Sequence, residues 1–312
     1  MSEAARFSVR PKRPYSLERT AARFRRFPEV VDRYEDGIYR RLMPVGRRLL
    51  LASVEQIAAP SRALLEVRLE GRDAGAGDAR AAAQRLLERS LGTAAAIPAF
   101  YRAVRNDPVL GNTIRSERGL SVAGYPEAWE ALVTAVLSQQ VNLALAYRIR
   151  RDLALRYGRR ARIGGQIYVA FPRPERLARE SAARLRKFGL SKVKAETLLR
   201  LANGFRRGTL TEEELAAIPD EELIERLTAI KGIGRWTAEI TLMRGLARPD
   251  AFPGGDLGVV KYVAQGLLGH DGKASEREMR DFSERWRPHR ALALTYAYAE
   301  LARLKASEAA TG

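Results

Sequence analysis

No cysteine occurs in the 312-residue chain. That excludes disulfides, thiolate zinc sites and cysteine-ligated iron–sulfur clusters, and it fits a reducing compartment. An apolar run of about 18 residues is also missing, as is a charged-then-apolar leader, so a soluble, cytoplasmic protein with no membrane segment is expected. Acidic residues are in deficit: 37 Asp and Glu stand against 55 Lys and Arg, a net charge of +18. A polyanionic partner follows, and nucleic acid is the commonest one. The other reading is an arginine-rich composition with no partner, against which Asp and Glu have not risen to match. Hydrophobic residues make up 46%, enough for a globular protein of one large domain or two modest ones.

The first 28 residues carry Arg6, Arg10, Lys12, Arg13, Arg19, Arg23, Arg25 and Arg26, and a frayed basic arm is one reading of them. Asp36–Gly37 between β-rich runs marks a hairpin. "RRLLLASVEQI" and "ALLEVRLEG" read as further strands, and "GDARAAAQRLLERSLG" as a helix ending at Gly92. Residues 1–105 therefore form an expected α+β domain with an antiparallel sheet. Beyond it strand signals almost vanish. Eight stretches from "PEAWEALVTAVLSQQ" to "HRALALTYAYAELARL" have helical apolar spacing, so 106–312 is an expected helical bundle. No internal repeat is present.

Within the bundle, "DEELIERLTAI" and "RWTAEITLM" flank the turn "KGIG" (Lys231 to Gly234). Glycine permits close backbone approach, and the first N–H groups of the second helix lack intrahelical partners, so an anion fits there. The turn suits a DNA phosphate, or it is an ordinary tight turn. Asp256 follows Gly234 by 22 residues and opens an apolar helix after Pro253–Gly254–Gly255. It is an N-cap by position, and a fixed carboxylate there could also stabilise positive charge on a sugar losing its base.

Together, L-x-x-I-x-G-I-G-x-x-T-A (Leu227 to Ala238) and the Gly/Pro-rich loop with Asp256 resemble the helix–hairpin–helix, Gly/Pro…Asp superfamily of DNA glycosylases. The likeness is nearest to the alkylation-repair branch, 3-methyladenine DNA glycosylase II. "VLSQQVNLALA", "FGLSKVKAETL" and "WRPHRALALTYAY" support it. It covers residues 120–300 well and 1–105 in outline, where that branch carries a sheet domain like the TATA-binding protein repeat.

The resemblance implies a monofunctional base-excision enzyme acting on alkylated bases in double-stranded DNA, located at the nucleoid and monomeric. Bifunctional members carry a lysine two residues after the second hairpin glycine, and that amine attacks the sugar; Trp236 stands there instead. By the same likeness Asp256 is catalytic, and Trp236, Tyr298 and Leu257 line the base pocket. Gln140 plugs the gap left by the flipped nucleotide. Gly232, Gly234 and Thr237 hold a phosphate. No cofactor is implied, but the main-chain carbonyls of Thr228, Ile230 and Gly232 would bind a structural monovalent cation. Tyr298 and His289 occupy positions where relatives supply tryptophan, and Ile240 and Leu257 occupy positions that can be aromatic. An opened pocket with a wider set of alkylated bases is therefore expected. The rivals are a non-catalytic DNA-structure binder, for which a carboxylate beside phosphates has no use, and a glycosylase for mismatched or oxidised bases.

Overall fold

The computed structural model describes residues 4–27 and 29–311. Five antiparallel strands form one sheet: β1 (Ala4–Val9), β2 (Asp32–Glu35), β3 (Ile38–Val45), β4 (Arg48–Gln56) and β5 (Leu65–Glu70), in the order β1-β5-β4-β3-β2. Alternation sets the faces. In β5, Leu65, Val67 and Leu69 point inward while Arg68 is exposed. The Asp36–Gly37 turn joins β2 to β3 with both residues at positive φ, as a tight hairpin turn requires.

Residues 4–27 are not a frayed arm. Ala4 to Val9 pair along the whole of β5, and α1 (Leu17–Ala21), capped by Ser16, buries Leu17 and Ala21. Residues 1–3 and 28 lie outside the described part. The sheet is followed by α2 (Gly77–Leu91) and α3 (Ile97–Val104), with Gly92 ending α2 in the left-handed conformation.

The helical part comprises α4 (Thr113–Ser116), α5 (Ala128–Ser138), α6 (Leu143–Tyr157), α7 (Pro174–Leu177), α8 (Ala182–Arg186), α9 (Lys192–Arg207), α10 (Glu212–Ala217), α11 (Asp220–Thr228), α12 (Arg235–Gly245), α13 (Ala264–Leu268), α14 (Glu276–Ser283) and α15 (Arg290–Thr311). A π-helical turn over Gly258–Val263 leads into α13. The central helix is α5, buried on every side from Ala128 to Leu137, as a helix apolar all round must be. Against it lies α12, so close that a Cβ on Gly245 would stand 2.6 Å from that of Ala131.

Strands do recur past residue 105. Two four-residue strands, β6 (Arg160–Ile163) and β7 (Gln166–Val169), form a hairpin through Gly164–Gly165. It covers the outer face of the first sheet, where Leu42 and Leu51 pack with Tyr168 and Ala170 in a small second core.

Five buried charged groups join the sheet to the helices. Arg41 of β3 donates to Asp32 at 2.5 Å and also to Glu130 of α5. Arg150 of α6 donates to Glu130 and Glu29, and to Asp32 at 3.4 Å. Tyr39 adds a bond to Asp32 at 2.6 Å. Burial pushes Asp32 up, but Arg41 and Arg150 outweigh it and hold the carboxyl below its ordinary value. Burial pushes Glu29 up, and there it wins over Arg150.

Glu130 touches both guanidiniums. Glu130→Gln is expected to lower unfolding free energy by about 3–5 kcal/mol, the loss typical of removing one partner from a buried ion-pair network. Urea unfolding measures it, and a loss below about 1 kcal/mol would show that the pairs behave as surface ones.

Candidate active site and nucleic-acid interface

The turn between α11 and α12 begins with Ile230 N–H donating to Leu227 O at 3.1 Å and continues with Ile233 N–H donating to Ile230 O at 2.9 Å. Its two glycines do different work. Gly232 has φ +97°, and a Cβ there would meet Thr197 Oγ1 at 1.9 Å, so this glycine lets the turn press onto α9. Thr197 Oγ1 and Arg200 then donate to Lys231 O at 3.2 and 3.3 Å. Gly234 is exposed and a Cβ there would meet nothing within 4 Å. It faces open space at the head of α12. The N–H groups of Gly234, Arg235 and Trp236 find no acceptor among the described residues. An anion at the helix start would satisfy them.

Thr237 does not belong to that anion site. Its side chain is buried, only 1% exposed, and its hydroxyl accepts from Gln139 Nε2 at 3.0 Å. Gln139 also donates to Gly232 O at 3.0 Å. The expected phosphate ligand is thus an internal strut, because the first turn of α12 sets position 237 toward α5 while the backbone amides face outward. Gln139 is the residue that sequence reasoning passed over. It ties the α5–α6 turn to the hairpin and leaves Gln140 exposed at the tip, in the left-handed region with φ +51°.

Asp256 lies at the centre. Its Oδ2 accepts from Trp236 Nε1 at 2.6 Å; its Oδ1 accepts from Tyr298 O–H at 3.0 Å and from Gly258 N–H at 2.7 Å. A carboxylate offers about four lone-pair sites, so one on Oδ2 stays open. Burial raises Tyr298 well above its ordinary value, and the Asp256 charge raises it further, so the phenol stays a neutral donor. Three of the expected residues therefore meet directly. Trp236 presents the edge of its ring to Asp256, and no protein ring pairs with its faces among the described residues.

The loop carrying Asp256 is shaped by missing side chains. A Cβ on Gly258 would stand 2.6 Å from Tyr298 Oη and 2.8 Å from Asp256 Oδ1. Gly258 is the gap through which the phenol reaches the carboxylate. Gly254 and Gly255 make the same room for Arg280 and Glu276 of α14. Arg280 in turn donates to Phe252 O at 3.4 Å and to buried Glu239 of α12 at 2.7 Å, joining the loop to the hairpin helix.

Leu257 is 53% exposed beside Asp256 and forms no closed wall. His289 packs edge-to-face with Phe100 of α3, with centroids 6.3 Å apart. Of the three expected cation ligands, Ile230 O and Gly232 O each already accept one hydrogen bond. Among the described residues no His, Cys, Asp and Glu group could hold a metal ion, and no helix is long and apolar enough to cross a membrane.

A family model described as HhH-GPD superfamily base excision DNA repair protein matches residues 133–288, half of the chain. A Bacillus subtilis DNA-3-methyladenine glycosylase is 33% identical over 197 residues, which are 63% of this chain and 65% of that protein. The match thus spans just under two thirds of that curated relative. A solved 3-methyladenine DNA glycosylase from Archaeoglobus fulgidus superposes over 95% of this chain and 98% of its own, at 26% identity and a TM-score of 0.82. A Schizosaccharomyces pombe 3-methyladenine DNA glycosylase, solved in complex with abasic DNA, covers 64% of this chain and 95% of its own, at 28% identity and a TM-score of 0.56. The open helix start and the glycine-framed Asp256 fall inside the matched segment, and the chain belongs to the HhH-GPD superfamily of base excision DNA repair proteins.

Proposed function

We propose that this protein is a monofunctional DNA glycosylase that flips alkylated bases out of double-stranded DNA and hydrolyses the bond to the sugar, leaving an abasic site. The observation that carries the reading is the Trp236–Asp256–Tyr298 cluster. A carboxylate held by neutral donors, with one lone pair free, suits positive charge developing on the sugar. The amides of Gly232, Gly234, Arg235 and Trp236 take a phosphate. Gln140 enters the stack in place of the extruded base, and the ring of Trp236 receives that base. The enzyme acts as a monomer, and a monovalent cation on the carbonyls of Thr228, Ile230 and Gly232 belongs to the same proposal. A methylated base that already carries positive charge leaves readily, so no general acid is required.

Three outcomes follow. Asp256→Asn is expected to slow single-turnover excision from a lesion-bearing duplex by on the order of 10²-fold, the loss typical of one fixed electrostatic group. Near-normal excision would remove Asp256 from the mechanism, and no excision of any lesion by the native protein would favour the DNA-structure binder. Borohydride treatment during turnover is expected to trap no covalent protein–DNA product, because Trp236 offers no amine. A trapped adduct would mean that another amine acts as nucleophile.

Gly258→Ala tests the cluster itself. The added methyl collides with both partners of the Tyr298–Asp256 bond. A hydrogen bond to a charged group contributes about 1.5–3 kcal/mol, so excision should fall by roughly 10- to 100-fold with the unfolding midpoint little changed. Native-like rates in Gly258→Ala would show that the phenol does not matter.

A further inference from the structure

Most buried or half-buried arginines of this protein sit against carboxylates: Arg41, Arg150, Arg280 and Arg290 each contact two or more. Arg23 and Arg244 depart from that pattern. They come from opposite ends of the fold, the turn Ala22–Arg25 and the last turn of α12. Both donate to the same oxygen, Ala123 O, at 2.5 and 2.6 Å. No Asp or Glu forms an ion pair with either among the described residues. Arg23 spends its other nitrogen on the hydroxyls of Tyr147 and Tyr125, at 2.9 and 3.1 Å. Arg244 spends only one of its donors, so most of its five N–H groups have no acceptor.

Two cations that converge on one carbonyl repel each other. Burial, and then the like charge of Arg23, bring Arg244 down to about 10, which leaves it a cation at neutral pH. Position says what such a site serves. Trp236, Ile240 and Arg244 are spaced by four residues along α12 and share one face. About 12 Å separates the first and last Cα of that series, and the Arg244 guanidinium is held at Ala123 O. Tyr298, which binds Asp256, is within electrostatic reach of Arg244. A base placed over Trp236 therefore has a half-buried, donor-rich guanidinium on the same helix face, within electrostatic reach of Tyr298.

We propose that Arg244, supported by Arg23, is a specificity-determining residue that binds the carbonyl edge of the flipped base, so that purines with an oxygen at C6 are favoured over 6-aminopurines. The inference rests on the glycosylase reading above. An arginine fork matches a purine carbonyl and its neighbouring ring nitrogen, whereas an exocyclic amine presents hydrogens to it. The charge also bears on the reaction. When a neutral 6-oxopurine leaves, the C1′–N9 bond breaks with its electron pair going to the purine. The water oxygen bonds to C1′, and the water proton ends on the purine. Negative charge passing to the C6 oxygen during that step meets a fixed cation.

The test compares release of hypoxanthine, a 6-oxopurine, with release of 3-methyladenine, a 6-aminopurine, from duplex DNA under single-turnover conditions. The native protein is expected to release both. In Arg244→Met the ratio of hypoxanthine to 3-methyladenine release should fall by on the order of 10- to 100-fold, the discrimination one fork provides. An unchanged ratio would overturn the proposal, even if both rates fell together through damaged folding. A second measurement needs no variant: free hypoxanthine should inhibit the native protein at lower concentration than free adenine, and equal inhibition would count against the fork. If the native protein releases 3-methyladenine but not hypoxanthine, the inference fails and the glycosylase reading stands. If it releases neither, both fall.

Discussion

Glu130 sits between two guanidiniums, and much of the molecule hangs on that arrangement. Arg41 reaches it from the sheet and Arg150 from α6, while Asp32, Glu29 and the Thr134 hydroxyl take further donors. Desolvating five charges is expensive unless each is paired and hydrogen-bonded. That expense makes the geometry demanding: the sheet must meet α5 in one register or a buried charge is left alone. Once α5 is fixed, α12 follows, since Gly245 lets it approach Ala131 closely. The hairpin and Trp236 are the head of that same helix. The sheet's position and the candidate site's position are therefore linked through two helices and one glutamate.

Glycines make the second half of the connection. Gly232, Gly254, Gly255 and Gly258 each stand where a Cβ would strike a named side chain, and Gly234 stands where it would strike nothing. The first four serve packing inside the protein and the fifth keeps an outer surface clear. A motif written G-I-G thus joins two unrelated demands. Thr197 explains the first glycine, and the three amides from the second onward, unpartnered among the described residues, fit an approaching phosphate.

What the sequence made legible follows from the range of the rules involved. The Asp36–Gly37 turn, the Gly92 stop of α2 and the helix–turn–helix around Gly232 are set by residues a few positions apart. The hairpin β6–β7 is not legible in the sequence although Gly164–Gly165 is a turn signal, because its strands are four residues long and half exposed. Its stability comes from covering Leu42 and Leu51 on another sheet, which no local pattern reports. The buried charges were equally silent: Asp32, Glu130 and Arg150 are far apart in the chain and look like ordinary solvated positions. Thr237 misled because a motif position says that a residue matters without saying which way it points. Gln139 stands in the Ser138–Gln139–Gln140 turn, but only the fold shows that its amide spans from α5 to the hairpin.

The same chemical group does opposite jobs in the two halves of this molecule, and its neighbours decide which. Asp32 is met by guanidiniums, which cancel its charge and turn it into a structural pin. Asp256 is met by an indole N–H, a phenol and a backbone amide, all neutral. Neutral donors fix a carboxylate without cancelling it, so its charge remains to act on whatever stands at the open lone pair. A lysine in place of Trp236 would bring a cation against Asp256. With tryptophan there, the net negative charge is kept in a protein of +18 overall, and an electron-deficient sugar is the kind of group that such a charge stabilises.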